Sequence, residues 1–244
     1  MIIEHQPTCF PDNLIVKVSS RDDGTMLERT IAYNTPKALE NRRSFAKKVG
    51  LNYDDLSIMR IDYSPDATYS LISEIDTRHA SPKRLEVLAD AIILTTPGTG
   101  IFLPLADCIG TIIYDPASQL TVVLHMGRHS TLTNLLEKTI GYLASRKVDP
   151  KDLIVWMTPS AGKDSYAMEY FDYKHQDDWK DFCNLKDGKI YLDLPSYNRQ
   201  RLLGLGLNSE NIHISPVDTV TDQNYFSHSA GEVDGRFGLL VARR

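Results

Sequence analysis

ADCIGTIIYDPASQLTVVLHMG, residues 106–127, holds two apolar runs rich in β-branched residues, Ile109–Tyr114 and Leu120–His125. Asp115-Pro116-Ala117-Ser118 separates them, and Asp, Pro and Ser between two such runs mark a turn, so the stretch reads as two neighbouring strands. Leu120 to Leu124 is apolar at nearly every position, which predicts a central strand buried on both faces. Upstream, Ala91–Thr95 and Ile101–Leu105 are similar runs joined across Pro97-Gly98-Thr99-Gly100. Downstream, Leu132, Leu135, Leu136, Ile140 and Leu143 share one side of a helix expected over about Thr131–Ser145. A buried strand at Leu153–Met157 and a polar loop to about Asp164 follow. A helix from about Tyr191 or Pro195 to Leu205 should close at Gly206, ahead of strands at Ile212–Ser215 and Phe237–Val241.

The amino-terminal part offers a strand at Leu14–Val18, a turn over Ser19–Gly24 and a helix beginning at Pro36. Thr35 can cap that helix, Pro36 suits its first position, and Gly50 suits the position just past its end. Ser64–Leu88 is polar and irregular. Strands and helices interleave throughout, which predicts an α/β (α+β) layered sandwich with a mixed sheet, in one domain spanning 1–244.

Composition narrows the function classes. The chain has 244 residues, 24% charged and 42% hydrophobic, and a formal net charge of -5. These are the proportions of an ordinary globular protein. A non-specific grip on nucleic acid needs a basic field, so nucleic acid is not an expected partner. No apolar run approaches the ~20 residues that span a bilayer, and Met1–Phe10 lacks the basic and apolar regions of a secretory signal. Cys9, Cys108 and Cys183 are an odd number at unrelated spacings. They point to reduced thiols and a cytoplasmic setting rather than a disulfide framework.

The chemistry-bearing residues cluster at the ends of the two central strands. Cys108 precedes one strand and His125 ends the next, seventeen residues later, ahead of a Gly127 turn into a helix. A thiolate and an imidazole on neighbouring strands can share a metal or act as nucleophile and base, beside a helix start that favours anions. The alternative is that Cys108 is only a small buried hydrophobe. Thr158–Ser165 lacks the spacing of a phosphate loop and reads as a connecting loop, although Lys163 could meet an anion there. His79, His175 and His213 have no partners at metal spacing, Asp177-Asp178 suits an exposed helix face, and Trp156 and Trp179 suit the core.

From about Ser19 to Val241 the chain resembles the laccase-domain, or multicopper polyphenol oxidase, family. Members are regarded as purine nucleoside phosphorylases that can also deaminate adenosine. The resemblance rests on Ser20-Arg21, Glu40-Asn41-Arg42, Ala89-Asp90-Ala91, Thr95-Thr96-Pro97-Gly98, Ala106-Asp107-Cys108 and His125-Met126-Gly127. It continues in Asp193-Leu194 with Asn198-Arg199-Gln200, Phe226-Ser227 and Gly235-Arg236. It implies a laccase-domain (cytotoxic necrotizing factor-like) fold and a zinc ion held by one Cys and two His. Cys108 and His125 match two of those positions, while Tyr63 stands where the first histidine is expected. The resemblance also implies catalytic roles for Cys108, His125 and Asp107, and contacts to phosphate or substrate from Arg21, Asn41, Arg42 and Arg128. His129, His79 and Asp218 are the candidates for a third zinc donor. Copper is not expected, because seven scattered histidines do not make a multicopper centre. The expected partners are a purine nucleoside and phosphate. Departures from the family pattern at Tyr63, Arg128-His129, Asp218 and His228-Ser229-Ala230 leave a second reading open, a catalytically inactive relative that binds a nucleoside or a protein.

Overall fold

Two mixed sheets face one another across an apolar layer, and helices cover their outer faces. A computed structural model describes residues 1–62, 64, 72–75 and 86–244. In chain order the first elements are β1 (Leu14–Val18), α1 (Pro36–Lys48), β2 (Ser57–Arg60), β3 (Ile72–Ile75), β4 (Glu86–Leu88), β5 (Ala91–Leu94) and β6 (Gly100–Leu105). β7 (Ile109–Tyr114), β8 (Thr121–Met126), α2 (Arg128–Leu132), α3 (Leu135–Ser145), β9 (Ile154–Met157) and β10 (Ala167–Met168) follow. The last are β11 (Cys183–Lys186), β12 (Lys189–Leu192), α4 (Leu194–Gly204), β13 (Ile212–Ile214) and β14 (Phe237–Arg243).

One sheet has the order β1-β14-β6-β2-β4, and the other β13-β9-β7-β8-β5-β3. Both are mixed: β2 runs parallel to β6 and β4, and β13 and β3 run parallel to their neighbours, while the remaining pairs are antiparallel. A small third sheet, β10-β12-β11, lies to one side.

Alternation along the strands sorts the core into layers. Ile92, Ile112, Val123 and Trp156 of the six-stranded sheet pack against Val16, Leu103, Leu105, Leu239 and Val241 of the five-stranded one. The opposite-facing Ile93, Ile113, Val122, Leu124 and Val155 meet Leu136, Ile140 and Leu143 of α3 and Leu202 of α4. On the far side of the five-stranded sheet, Phe102, Ile58 and Leu240 meet Phe45 and Ala46 of α1. β5 to β8 are buried at every position, as their unbroken apolar runs predict.

Several expectations are corrected. The helix read over Thr131–Ser145 begins at Arg128 and is two helices, because Asn134 takes a left-handed conformation (φ +61°) that an asparagine tolerates and a helix does not. Tyr191 lies in β12, and α4 starts only after Asp193, whose carboxylate accepts from the Ser196 N–H. Asp177-Asp178 is exposed but lies in turns, not on a helix. Within the polar stretch after Ser64, β3 and β4 form parallel edge strands. The α1 cap is as read: Thr35 accepts from the Ala38 N–H, and Gly50 has φ +77°. Among the described residues no helix is long and apolar enough to cross a membrane.

Gly110 is packed tightly between the two sheets. A Cβ there would lie 2.7 Å from Leu239 Cδ2, 2.9 Å from Leu105 Cδ1 and 3.0 Å from Thr158 Cγ2. These are packed core atoms, so Gly110→Ala should destabilise the fold by about 1–3 kcal/mol through overpacking. Urea unfolding should show a lower midpoint with an unchanged slope.

Candidate active site

β7 and β8 pair antiparallel with Gly110 opposite His125 and Ile109 opposite Met126. Continued past the strand end, that register sets Cys108 opposite Gly127. In a pleated pair, opposite residues share a face, so Cys108 and His125 project from one side of the sheet. Gly110 and Gly127 carry no side chain to separate them. A Cβ on Gly127 would sit 3.1 Å from Cys108 Sγ and 3.5 Å from His125 Cε1. The spacing of seventeen is thus the arithmetic of one hairpin.

On the other side, β5 pairs with β8 so that Ala91 faces Leu124, which places Asp90 across from His125. The His125 backbone N–H donates to the Asp90 carbonyl at 2.8 Å, and Asp90 Oδ1 lies 3.8 Å from His125 Nδ1. Both residues are buried. Burial pushes the His125 pKa down, but the neighbouring Cys108 and Asp90 groups outweigh it and push it up to about 9. Cys108 itself is half-buried, so thiol, imidazole and carboxylate form a row running inward from an accessible end. Asp90 was quoted in the sequence only as part of Ala89-Asp90-Ala91; its role needed the strand pairing.

Asp107 holds the walls. It has φ +72°, a left-handed conformation that asparagine and aspartate tolerate best among residues with a side chain. One carboxylate oxygen accepts from Thr219 Oγ1 at 2.8 Å and the other from the Ser229 N–H at 2.6 Å. Asp107 therefore ties the loops around 219 and 229 to the strand end that carries Cys108. It is a positioning residue in this arrangement. Asp218 does similar work: its carboxylate accepts from Gly162 N–H, Val220 N–H and Ser165 Oγ.

Arg128 opens α2 directly after Gly127, and its Nη1 reaches Met168 Sδ at 3.4 Å. The Tyr166 phenol stands near it. Burial, with a contribution from Cys108, pushes the Tyr166 pKa up to about 12, so the hydroxyl stays protonated at neutral pH. Tyr166 is a site residue that sequence reading passed over; a single Tyr in a polar loop carries no signal of its own.

The other candidates sit elsewhere. Arg42 is fully buried beneath α1, where it donates to Met26 O, Tyr33 O, Asn34 and Tyr53. That is the far side of the five-stranded sheet, and its donors are spent inside the fold. Asn41 donates to Thr25 O. Arg21 lies at a separate cavity with Thr219 and Ser227. His129 is exposed on α2. Tyr63 and His79 lie outside the described residues.

A zinc site needs three or four donors at about 2.0–2.3 Å. The thiol and imidazole are suitable ligand types and they converge. Among the described residues no group of three His, Cys, Asp or Glu could hold a metal, so these residues supply two donors and not a complete site.

In the metal-free protein the row of three groups makes a pH prediction. The His125 pKa is raised above the ~6.5 of an unfolded chain, so its contribution to stability is full below about 6.5 and is lost as pH rises through about 9. NMR titration of His125 should show a midpoint near 9, falling in both Cys108→Ser and Asp90→Asn. A midpoint unmoved by either change would contradict the arrangement.

Known proteins align with this framework. Structures of YlmD from Geobacillus stearothermophilus (TM-score 0.80, 17% identity, covering 98% of this chain and 94% of that one) and of Bacillus licheniformis hypothetical protein YfiH (TM-score 0.77, 18% identity, 96% and 94%) share the fold. In sequence, a purine nucleoside phosphorylase of Xylella fastidiosa (strain Temecula1) is 25% identical over 226 residues, covering 86% of this chain and 81% of its own. Adenosine deaminase RL5, from an unknown prokaryotic organism, is 24% identical over 195 residues, covering 72% and 70%. The family model described as multi-copper polyphenol oxidoreductase laccase matches residues 30–244, and the chain belongs to that family.

Proposed function

We propose that the protein acts on purine nucleosides, by phosphorolysis of the glycosidic bond or by hydrolytic deamination of the base, with Cys108 and His125 at the reacting centre. The observation that carries this reading is the cross-strand meeting of thiol and imidazole at Gly127. The relatives named above as purine nucleoside phosphorylase and adenosine deaminase supply the substrate class. The reading includes a cytoplasmic setting, in keeping with three free cysteines.

In phosphorolysis a phosphate oxygen bonds to the ribosyl C1′ as the C1′–N bond breaks, and the departing base takes up a proton. In this reading Tyr166, held protonated, would donate to the purine, and Arg128 would supply positive charge for the phosphate. Asp107 keeps the 219 and 229 loops in place around the centre. Zinc belongs to this reading: Cys108 and His125 would hold it, with His79 a candidate for the third donor. Bound zinc supplies a Lewis acid and an acidified water.

The inactive, ligand-binding reading draws on one observation, that only two suitable metal donors converge among the described residues. One experiment separates the two. The untreated protein is assayed for zinc, then incubated with adenosine and inosine, with and without phosphate, and the products are resolved by chromatography. The enzyme reading expects about one zinc per chain and free base or deaminated nucleoside. Absence of both products with added zinc favours the binding reading.

Within the enzyme reading, Cys108→Ala and His125→Ala should each lower kcat/KM by at least about a hundredfold. Tyr166→Phe, which loses one hydrogen bond worth about 1.4 kcal/mol, should cost about tenfold with the fold intact by circular dichroism. Wild-type rates in Tyr166→Phe would remove Tyr166 from the chemistry.

A further inference from the structure

A cavity of about 630 Å³ opens between α4 and the turns that precede β11. Neither Cys108 nor His125 lines it. Its volume is in the range of small-ligand sites. Phe182 and Leu205 give it an apolar wall, and Asp178, Asp181, Tyr197 and Arg201 a polar one.

Tyr197, in the first turn of α4, is the best-ordered part of that wall. Its ring stacks on Trp179 with centroids 3.6 Å apart and planes 8° apart, and Phe182 meets it edge-on at 5.4 Å. The residue is only 7% exposed, yet its hydroxyl has no hydrogen-bond partner among the described residues. Buried phenols ordinarily find a partner. This one is locked by its ring contacts with the polar end at the cavity. Burial raises its pKa, with Arg201 opposing, so the hydroxyl keeps its proton at neutral pH and can both donate and accept.

The charges around it do not balance. Arg201 spends its Nε and Nη2 on Glu137, at 2.6 Å from the Nε, and reaches Asp178 only at 3.7 Å. Lys180 is taken by Asp177 at 2.9 Å. Asp181 has no ion pair among the described residues. The two cations therefore meet Glu137, Asp177, Asp178 and Asp181, which leaves an excess of two negative charges at the rim. No group of three acidic, His or Cys side chains among the described residues is close enough to hold one metal ion. Separated carboxylates over an apolar wall suit a ligand whose positive charges are themselves separated along an apolar chain.

We infer that this cavity binds a linear polyamine, with ammonium groups set against Asp178 and Asp181, the alkyl chain on Phe182 and Leu205, and one N–H donated to the Tyr197 hydroxyl oxygen. The site is separate from the Cys108–His125 centre, and the inference does not depend on the reaction proposed there.

The test is calorimetric titration of the full-length protein with spermidine at constant ionic strength, using wild type, Tyr197→Phe and the double change Asp178→Asn with Asp181→Asn. Magnesium and acetyl-lysine amide serve as parallel ligands. Wild type should bind one spermidine per chain. The double variant should bind at least about tenfold more weakly, and Tyr197→Phe about three- to tenfold more weakly with an unchanged thermal midpoint in the absence of ligand. Absence of saturable binding by wild type up to about 1 mM overturns the inference, and so does wild-type affinity in the double variant. Magnesium displacing spermidine at equal charge concentration would reduce the cavity to a diffuse counterion surface, and acetyl-lysine amide binding as tightly as spermidine would assign it to a basic peptide; either result overturns the polyamine site. If Tyr197→Phe does not fold, the double variant, whose changes lie on exposed turns, decides on the same criterion.

Discussion

The register of one antiparallel strand pair underlies the site. Because β7 and β8 meet with Gly110 opposite His125, Cys108 and His125 fall on the same face. A slip of one residue would send one of them to the other side of the sheet. That register is enforced by burial. Ile112 and Val123 face the inter-sheet layer, and Ile113 and Val122 face α3. Exchanging those faces would leave the same number of apolar groups facing unsuitable partners. The hydrophobic core therefore sets the geometry of the site, and the thiol and imidazole sit at the open end of a ladder fixed elsewhere.

The same sheet supplies the second layer of control. β8 lies between β7 and β5, so His125 has Cys108 toward one neighbour and Asp90 toward the other. In a site this buried, each charge is felt strongly. An imidazole flanked by a thiol and a carboxylate keeps its proton to higher pH than a solvated one. Asp107 and Asp218 then fasten loops that arrive from far along the chain, so the walls are as rigid as the hydrogen bonds of two carboxylates can make them. The left-handed Asp107 is backbone strain held in place by those bonds and by its position between two buried strands.

Arginines divide by where the fold spends their donors. Arg42 is consumed beneath α1, where five-donor geometry satisfies buried carbonyls and a tyrosine hydroxyl. It braces that layer. Arg21 keeps an outward edge because backbone carbonyls take only part of its hydrogen-bonding capacity. Two arginines that a motif comparison treats alike thus have different chemical availability.

The sequence by itself determined the strand positions from β5 to β9, the α1 cap, the buried tryptophans, and the pairing of Cys108 with His125 across one turn. All of these are local: apolar runs, turn residues and a spacing spanned by a single hairpin. It missed the small hairpin at β11–β12, whose residues are mostly exposed and weakly patterned, and it merged α2 with α3 because apolar periodicity does not register a left-handed Asn134. Tertiary structure alone decided that Asp90 stands behind His125, that Tyr166 joins the site, that Arg42 belongs to the core, and that Glu232 occupies the fork of Arg21. Each of those contacts joins residues from separate elements, and Arg21 and Glu232 are 211 positions apart. Such pairings are set by how sheets stack and loops return, and no local pattern of hydrophobicity or charge encodes them.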